Sequence, residues 1–282
     1  MQEEYKRIEL SDDYMFAEIM RQDKETCRKV LEIILGFEIE SLEYAENERF
    51  LKSDTDSKAV RLDVVARSTG AVYDIEMQKV NVGNIPRRAR YYQSQIAVSE
   101  LDKGVEYDKL KDSYVIFICG FDLFGMGEYV YRFENCDMQK KLPLGDGSRI
   151  VVVNTKGTRG EISDELKEFI AYIDRPEEIA KSPNSDLVKD LESRVINKNK
   201  DKSWRKKRMR AEAERVDYKN IGRQEGIAIG RQQGIEWGLE RGIACGRNET
   251  RQVFKLSLKG KSASEIAVLL NMDEEDVIEI LS

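Results

Sequence analysis

Apolar residues recur at helical spacing near the start of the chain. Met15, Phe16, Ile19 and Met20, then Val30, Leu31, Ile34 and Leu35, fall on a repeating face. The pattern predicts a helix opened by Ser11 and ended by Gly36, with Asp12 and Asp13 in its first turn, where carboxylates suit the helix dipole. Residues 39–51 read as extended but polar. Two strands follow, over 60–66 and 71–78, separated by the turn Ser68-Thr69-Gly70. Pro86 suits the first turn of a helix that carries Arg87, Arg88, Arg90, Tyr91, Tyr92 and Gln95. Residues 114–119, 128–133 and 149–154 read as strands, and 163–173 as a helix capped by Ser163 or Asp164. This order predicts an α/β (α+β) domain over residues 1–175, a central mixed sheet flanked by helices.

The pattern changes after residue 175. Residues 176–210 read as a polar to basic linker, with nine Lys or Arg between Arg194 and Arg210 against one acid, Asp201. The run from Lys198 to Arg210, with Lys206, Arg208 and Trp204 in it, suits a nucleic-acid backbone, where contacts are sequence-independent. It equally suits a solvated linker, since Glu212, Glu214 and Asp217 follow at once. Residues 211–250 carry glycine at every fourth position: Gly222, Gly226, Gly230, Gly234, Gly238, Gly242 and Gly246. No strand precedes them and no GK[ST] follows, so they are not a phosphate loop. On a helix they drift by about 40° per step into a shallow spiral stripe. Ile227, Ile229, Ile235, Trp237, Leu239 and Ile243 lie between them, so the segment reads as a helix for self-association or partner binding, with disorder as the alternative. Residues 251–282 read as a small two-helix cap with Ser264 and Asp273 at the helix starts.

Composition narrows the chemistry. The chain of 282 residues has no histidine, which removes Ser-His-Asp triads, Cys-His pairs and imidazole ligands. Cys27, Cys119, Cys136 and Cys245 are scattered without CxxC spacing, as expected of free thiols in a reducing cytoplasm. The net charge is −6, so any contact with nucleic acid depends on a local basic patch. No run of about 18 apolar residues suggests a membrane span. A cytoplasmic protein is expected.

The chemistry concentrates in the hairpin Arg61-Leu-Asp-Val-Val-Ala-Arg67, turn, Ala71-Val-Tyr-Asp-Ile-Glu-Met-Gln78. Side chains alternate faces along a strand, so Asp63 shares a face with Arg61 and Val65, while Asp74 shares one with Glu76 and Gln78. If Thr69-Gly70 is the loop, Ser68 pairs with Ala71 and Asp63 stands opposite Glu76. Two facing carboxylates repel, and a divalent cation between them converts that cost into a binding site. Mg²⁺ typically takes one or two carboxylates plus water and phosphate oxygens. A solvated polar face, with Arg61 neutralising an acid, is the competing reading.

An acid on one strand, a short hairpin, then acid-x-Lys resembles the PD-(D/E)XK nuclease superfamily. The stretch LSDDYMF from Leu10 to Phe16, the stretch from Arg88 to Gln95 and the glycine ladder are similar to its PD-(D/E)XK nuclease family transposases and recombination-promoting nucleases. The likeness covers most of residues 8–175 and, more loosely, the tail. It implies a restriction-endonuclease-like core and a metal-dependent DNA endonuclease, with Mg²⁺ or Mn²⁺ on Asp63 and Glu76. Asp63, Glu76 and Gln78 are the expected catalytic residues, and Asp13 and Asp74 additional candidates. Arg88, Tyr91, Lys206 and Arg208 are the expected DNA contacts. Gln78 departs from the pattern, since glutamine stands where lysine is usual. A catalytically inactive DNA-binding or protein-interaction module of the same fold is therefore the alternative.

Overall fold

The computed structural model describes residues 6–44, 63–101 and 104–282. They divide into two units, 1–208 and 209–282.

The first unit opens with two helices, not one. α1 (Asp13–Gln22) ends at Asp23, whose extended backbone (φ −137°) breaks the helical run. The Asp23 carboxylate then accepts from the Glu25 N–H and starts α2 (Lys24–Leu35). A residue that ends one helix and caps the next leaves the apolar spacing almost unbroken, so the pattern alone conceals the break. Asp12, one residue beyond the expected Ser11, caps α1 by accepting from the Met15 N–H. Gly36 closes α2 in the left-handed region (φ 84°), a position that favours glycine.

Six strands form one mixed sheet in the order β1-β2-β3-β4-β6-β5. They are β1 (Glu43–Tyr44), β2 (Val64–Arg67), β3 (Ala71–Gln78), β4 (Asp112–Cys119), β5 (Val130–Glu134) and β6 (Ser148–Asn154). β3, β4 and β6 run parallel, and the outer pairings are antiparallel. Val60, Arg61 and Leu62 of the expected first strand lie outside the described residues.

Each sheet face is covered. Tyr73, Ile75, Ile116 and Val151 pack towards α1, α2, α4 (Asp164–Asp174) and α6 (Asp186–Lys200). Val72, Val115, Phe117 and Val152 pack on the other face with Ile85, Ala89, Tyr92 and Ile96 of α3 (Ile85–Glu100). After α4 comes a single helical turn, α5 (Pro176–Ile179). The stretch expected to be a linker is therefore structural. Ser185 caps α6, and Leu187, Val188, Leu191 and Val195 enter the main core, joined by Trp204 at 4% exposure. Each such burial contributes roughly 1.5–3 kcal/mol.

Helix α7 (Lys202–Ser257) begins in the first unit, and its residues from 209 onward belong to the second. All seven ladder glycines are helical, and among the described residues an added Cβ at any of them would meet nothing within 4 Å. Beyond α7, the helices α8 (Ala263–Leu270) and α9 (Glu274–Leu281) close a small core of Val253, Ile266, Ala267 and Val277. The cap of α8 is Ser262, not Ser264. Its hydroxyl accepts from the Glu265 N–H while the Glu265 carboxylate accepts from the Ser262 N–H, a reciprocal capping box. Asp273 stands at the start of α9.

Candidate active site

The β2–β3 hairpin positions the acids. The Ser68 N–H donates to the Ala71 carbonyl at 2.8 Å, leaving Thr69 and Gly70 as the loop. Pairing then runs Arg67 with Val72, Val65 with Asp74 and Val64 with Ile75. One step further sets Asp63 opposite Glu76, in the register expected from the sequence. Hydrogen bonds interlock the two: the Asp63 N–H donates to Glu76 Oε1 at 2.9 Å, and the Met77 N–H donates to Asp63 Oδ2 at 3.3 Å. Asp74, Glu76 and Gln78 project from β3 towards α3, beside Val115, Phe117 and Cys119 of β4. The cluster sits at the carboxyl end of the parallel strands, where open α/β sheets place their ligands.

These acids are held against their preference. Asp74 is fully buried, and neither carboxylate oxygen has a hydrogen-bond partner. Burial first, then the charges of Glu76 and Asp63, push its pKa well above the ordinary carboxylate range. Burial also raises Glu76, reinforced by the Asp63 charge. Asp63 rises through burial and through the charge of Asp13 on α1. Three carboxylates here resist ionising together, and one of them has both oxygens unmatched. Among the described residues no group of three acidic or cysteine side chains is placed to hold a metal ion by itself. A Mg²⁺ ion needs fewer protein ligands than that, because water and substrate complete its shell.

Arg88 is the cation of the cluster. Its Nη2 donates to Glu76 Oε2 at 3.0 Å, and its Nη1 donates to Gln78 Oε1 at 2.6 Å. Tyr92, one turn along α3, accepts from Nε at 3.2 Å and from Nη2 at 3.0 Å. The guanidinium lies 5.4 Å from the ring centroids of both Tyr92 and Phe117. Gln78 is engaged at both ends, since its Nε2 donates to the Val80 carbonyl at 3.0 Å. The sequence pointed to Arg88 as a DNA contact and missed its bond to Glu76. The available signal was the buried stripe Ile85, Ala89, Tyr92 and Ile96, which sets Arg88 beside that stripe and one turn from Tyr92.

The other candidates separate. Asp13 is near enough to bias Asp63, and its Oδ1 accepts from the Tyr14 N–H at 2.8 Å. Its neighbour Asp12 caps α1 and pairs with Arg208 at 2.5 Å. Tyr91 is half-buried against the α3-side core. Within the basic run, Trp204 is core and Lys198 pairs with Glu18 at 2.9 Å, so the run does not form one solvated strip. Lys206 is exposed, as are Arg87 and Arg90 on α3.

A six-stranded mixed sheet flanked by helices, carrying this carboxylate hairpin, is the fold of the PD-(D/E)XK nuclease-like α/β proteins. The chain belongs to the PD-(D/E)XK nuclease family transposases, whose family model matches residues 10–221. No curated protein and no solved structure matches the chain. The matched span runs through α6 and into α7, consistent with α6 being part of the folded unit. No helix among the described residues is long and apolar enough to cross a membrane.

Proposed function

We propose that this chain is a divalent-metal-dependent DNA endonuclease. Asp63 and Glu76 would hold Mg²⁺ or Mn²⁺, and Asp74, buried behind them, completes the acidic cluster. When bound, such an ion supplies Lewis-acid polarisation of a phosphate oxygen and activates water. Asp63, partly exposed at the start of β2, is the acid best placed to meet that water, and Asp13 lies behind it. Gln78 keeps its amide on the cluster and orients groups there. Arg87, Arg90 and Lys206 offer exposed charge to a phosphate backbone, whereas Arg208 is committed to Asp12. The observation that carries this reading is Asp74, a fully buried carboxylate with unmatched oxygens beside two further acids.

Cleavage of supercoiled plasmid tests the proposal. Wild type should nick it with Mg²⁺ or Mn²⁺ and stop when EDTA is added, and Asp63→Ala should be inactive while melting as a folded protein. Equal cleavage by the two proteins would sink it. Glutamine at position 78 favours a second reading, an inactive DNA-binding module of the same fold. Salt-dependent DNA binding without cleavage under any divalent ion would select that reading. We further propose that the second unit serves self-association.

A further inference from the structure

We propose that Arg88 supplies, from helix α3, the positive charge at the reaction centre that a lysine two residues after Glu76 would otherwise supply. The inference rests on the nuclease reading and deepens it. Its ground is that one side chain bridges both ends of the motif, since Arg88 donates to Glu76 Oε2 and to Gln78 Oε1. Glutamine at position 78 then has a specific use. It presents a neutral acceptor to a guanidinium, where a lysine would present a second positive charge.

The placement is fixed from several sides. Tyr92 accepts from Nε and Nη2, and the guanidinium is held near the faces of Tyr92 and Phe117. A guanidinium carries five N–H groups. Bonds to Tyr92, Gln78 and Glu76 use Nε, one N–H of Nη1 and both of Nη2, leaving one N–H on Nη1 without a partner among the described residues. The Arg88 side chain is 26% exposed, and we assign that N–H to a phosphate oxygen approaching the cluster.

In phosphodiester hydrolysis a water oxygen bonds to phosphorus and loses a proton to a carboxylate or to solvent. The bond from phosphorus to one bridging oxygen breaks, and that oxygen takes up a proton. Negative charge builds on the non-bridging oxygens between these events, and a fixed guanidinium stabilises it there. Arg88 donates to Glu76 Oε2, an oxygen that a bound ion would also use, so removing the guanidinium should not weaken ion binding.

A reciprocal exchange tests the assignment. Single-turnover cleavage of a short duplex at saturating Mg²⁺ is measured together with Ca²⁺ affinity by calorimetry and with melting temperature. Arg88→Gln should cleave at least 100-fold more slowly while binding Ca²⁺ as tightly as wild type or several-fold more tightly. Gln78→Lys alone should slow cleavage, because it sets an ammonium against the guanidinium. The double variant Arg88→Gln/Gln78→Lys should recover at least tenfold over Arg88→Gln. Arg88→Gln cleaving within threefold of wild type overturns the proposal. So does a double variant no faster than Arg88→Gln, or loss of Ca²⁺ binding and melting temperature in step with cleavage, which marks a structural role. Failure of wild type itself to cleave in Mg²⁺ or Mn²⁺ removes the nuclease reading, and this assignment with it.

Discussion

The hairpin of the first unit and the glycine-laddered helix of the second break the usual partition of residues in opposite directions. Around β3, charge is inside: Asp74 is 0% exposed, and Glu76 is buried with it. Along α7, apolar surface is outside: Trp237 is 70% exposed, and Ile227, Ile229, Ile235 and Leu239 are exposed with it. Each arrangement costs free energy in the isolated chain. An unmatched buried polar group costs about 1–3 kcal/mol, more when charged, and each interior helix glycine about 1 kcal/mol relative to alanine. The difference lies in what relieves the cost. On the proposed reading a small cation relieves the cost at the hairpin, and a second surface relieves it along the helix.

Charge removal at the hairpin gives the largest expected effect. Asp63→Asn and Glu76→Gln should each reduce metal-dependent cleavage by three orders of magnitude or more, about 4 kcal/mol or above in the barrier. The same variants should melt higher than wild type in EDTA. Lower activity with lower stability would mean that the acids are structural, and the contrast with α7 would vanish.

The next effect is on pH dependence. The folded-state pKa values of Asp63, Asp74 and Glu76 are raised, so the folded protein binds more protons than the unfolded chain. Stability without metal should therefore fall as pH rises from the ordinary carboxylate range towards those raised values. The limit is about 1.4 kcal/mol per pH unit for each group. Melting curves between pH 5 and pH 8 in EDTA check the sign. Mg²⁺ should flatten the slope, and Asp74→Asn should remove part of it. A metal-free melting temperature that climbs across this range would refute the buried-charge account.

Smaller effects are expected from the tail. Ile235→Lys with Trp237→Lys should weaken self-association at least tenfold by light scattering, a loss of about 1.4 kcal/mol or more. The metal-dependent melting of the first unit should not move. If the wild type is monomeric at all accessible concentrations, a second copy does not cover that face. Gly230→Ala with Gly234→Ala should raise helix content by circular dichroism and add about 1 kcal/mol per site, because no described residue occupies the space of an added Cβ. If these alanines instead abolish an association seen in wild type, the glycines admit close helix contact, and the ladder is explained.

What the sequence made legible followed from period and from turns. The alternation of side-chain faces along β3 and a two-residue loop are enough to set Asp63 opposite Glu76 from the sequence alone. Failures came where two readings share one pattern. Asp23 ends α1 and starts α2 without disturbing the apolar spacing, so the break was hidden. Helix α6 was mistaken for linker because polar residues fill most of its circumference. Its four buried positions and the Ser185 cap were nonetheless present to be read. Arg88 was one of three arginines in four positions, and only the rotation of α3 about its axis selects which of them turns inward.

Helix α6 also decides where the chain can be cut. A fragment ending near residue 175 would strip Leu187, Val188, Leu191, Val195 and Trp204 from the core and leave the faces they cover on α1, α2 and α4 open to water. A gene truncated there would yield a sticky, protease-sensitive product, whereas one ending after Arg208 retains the Arg208–Asp12 pair that ties the end of the first unit back to its opening helix. Limited proteolysis should find its earliest stable product ending beyond residue 208. A stable fragment ending before residue 186 would show that the sheet folds without α6.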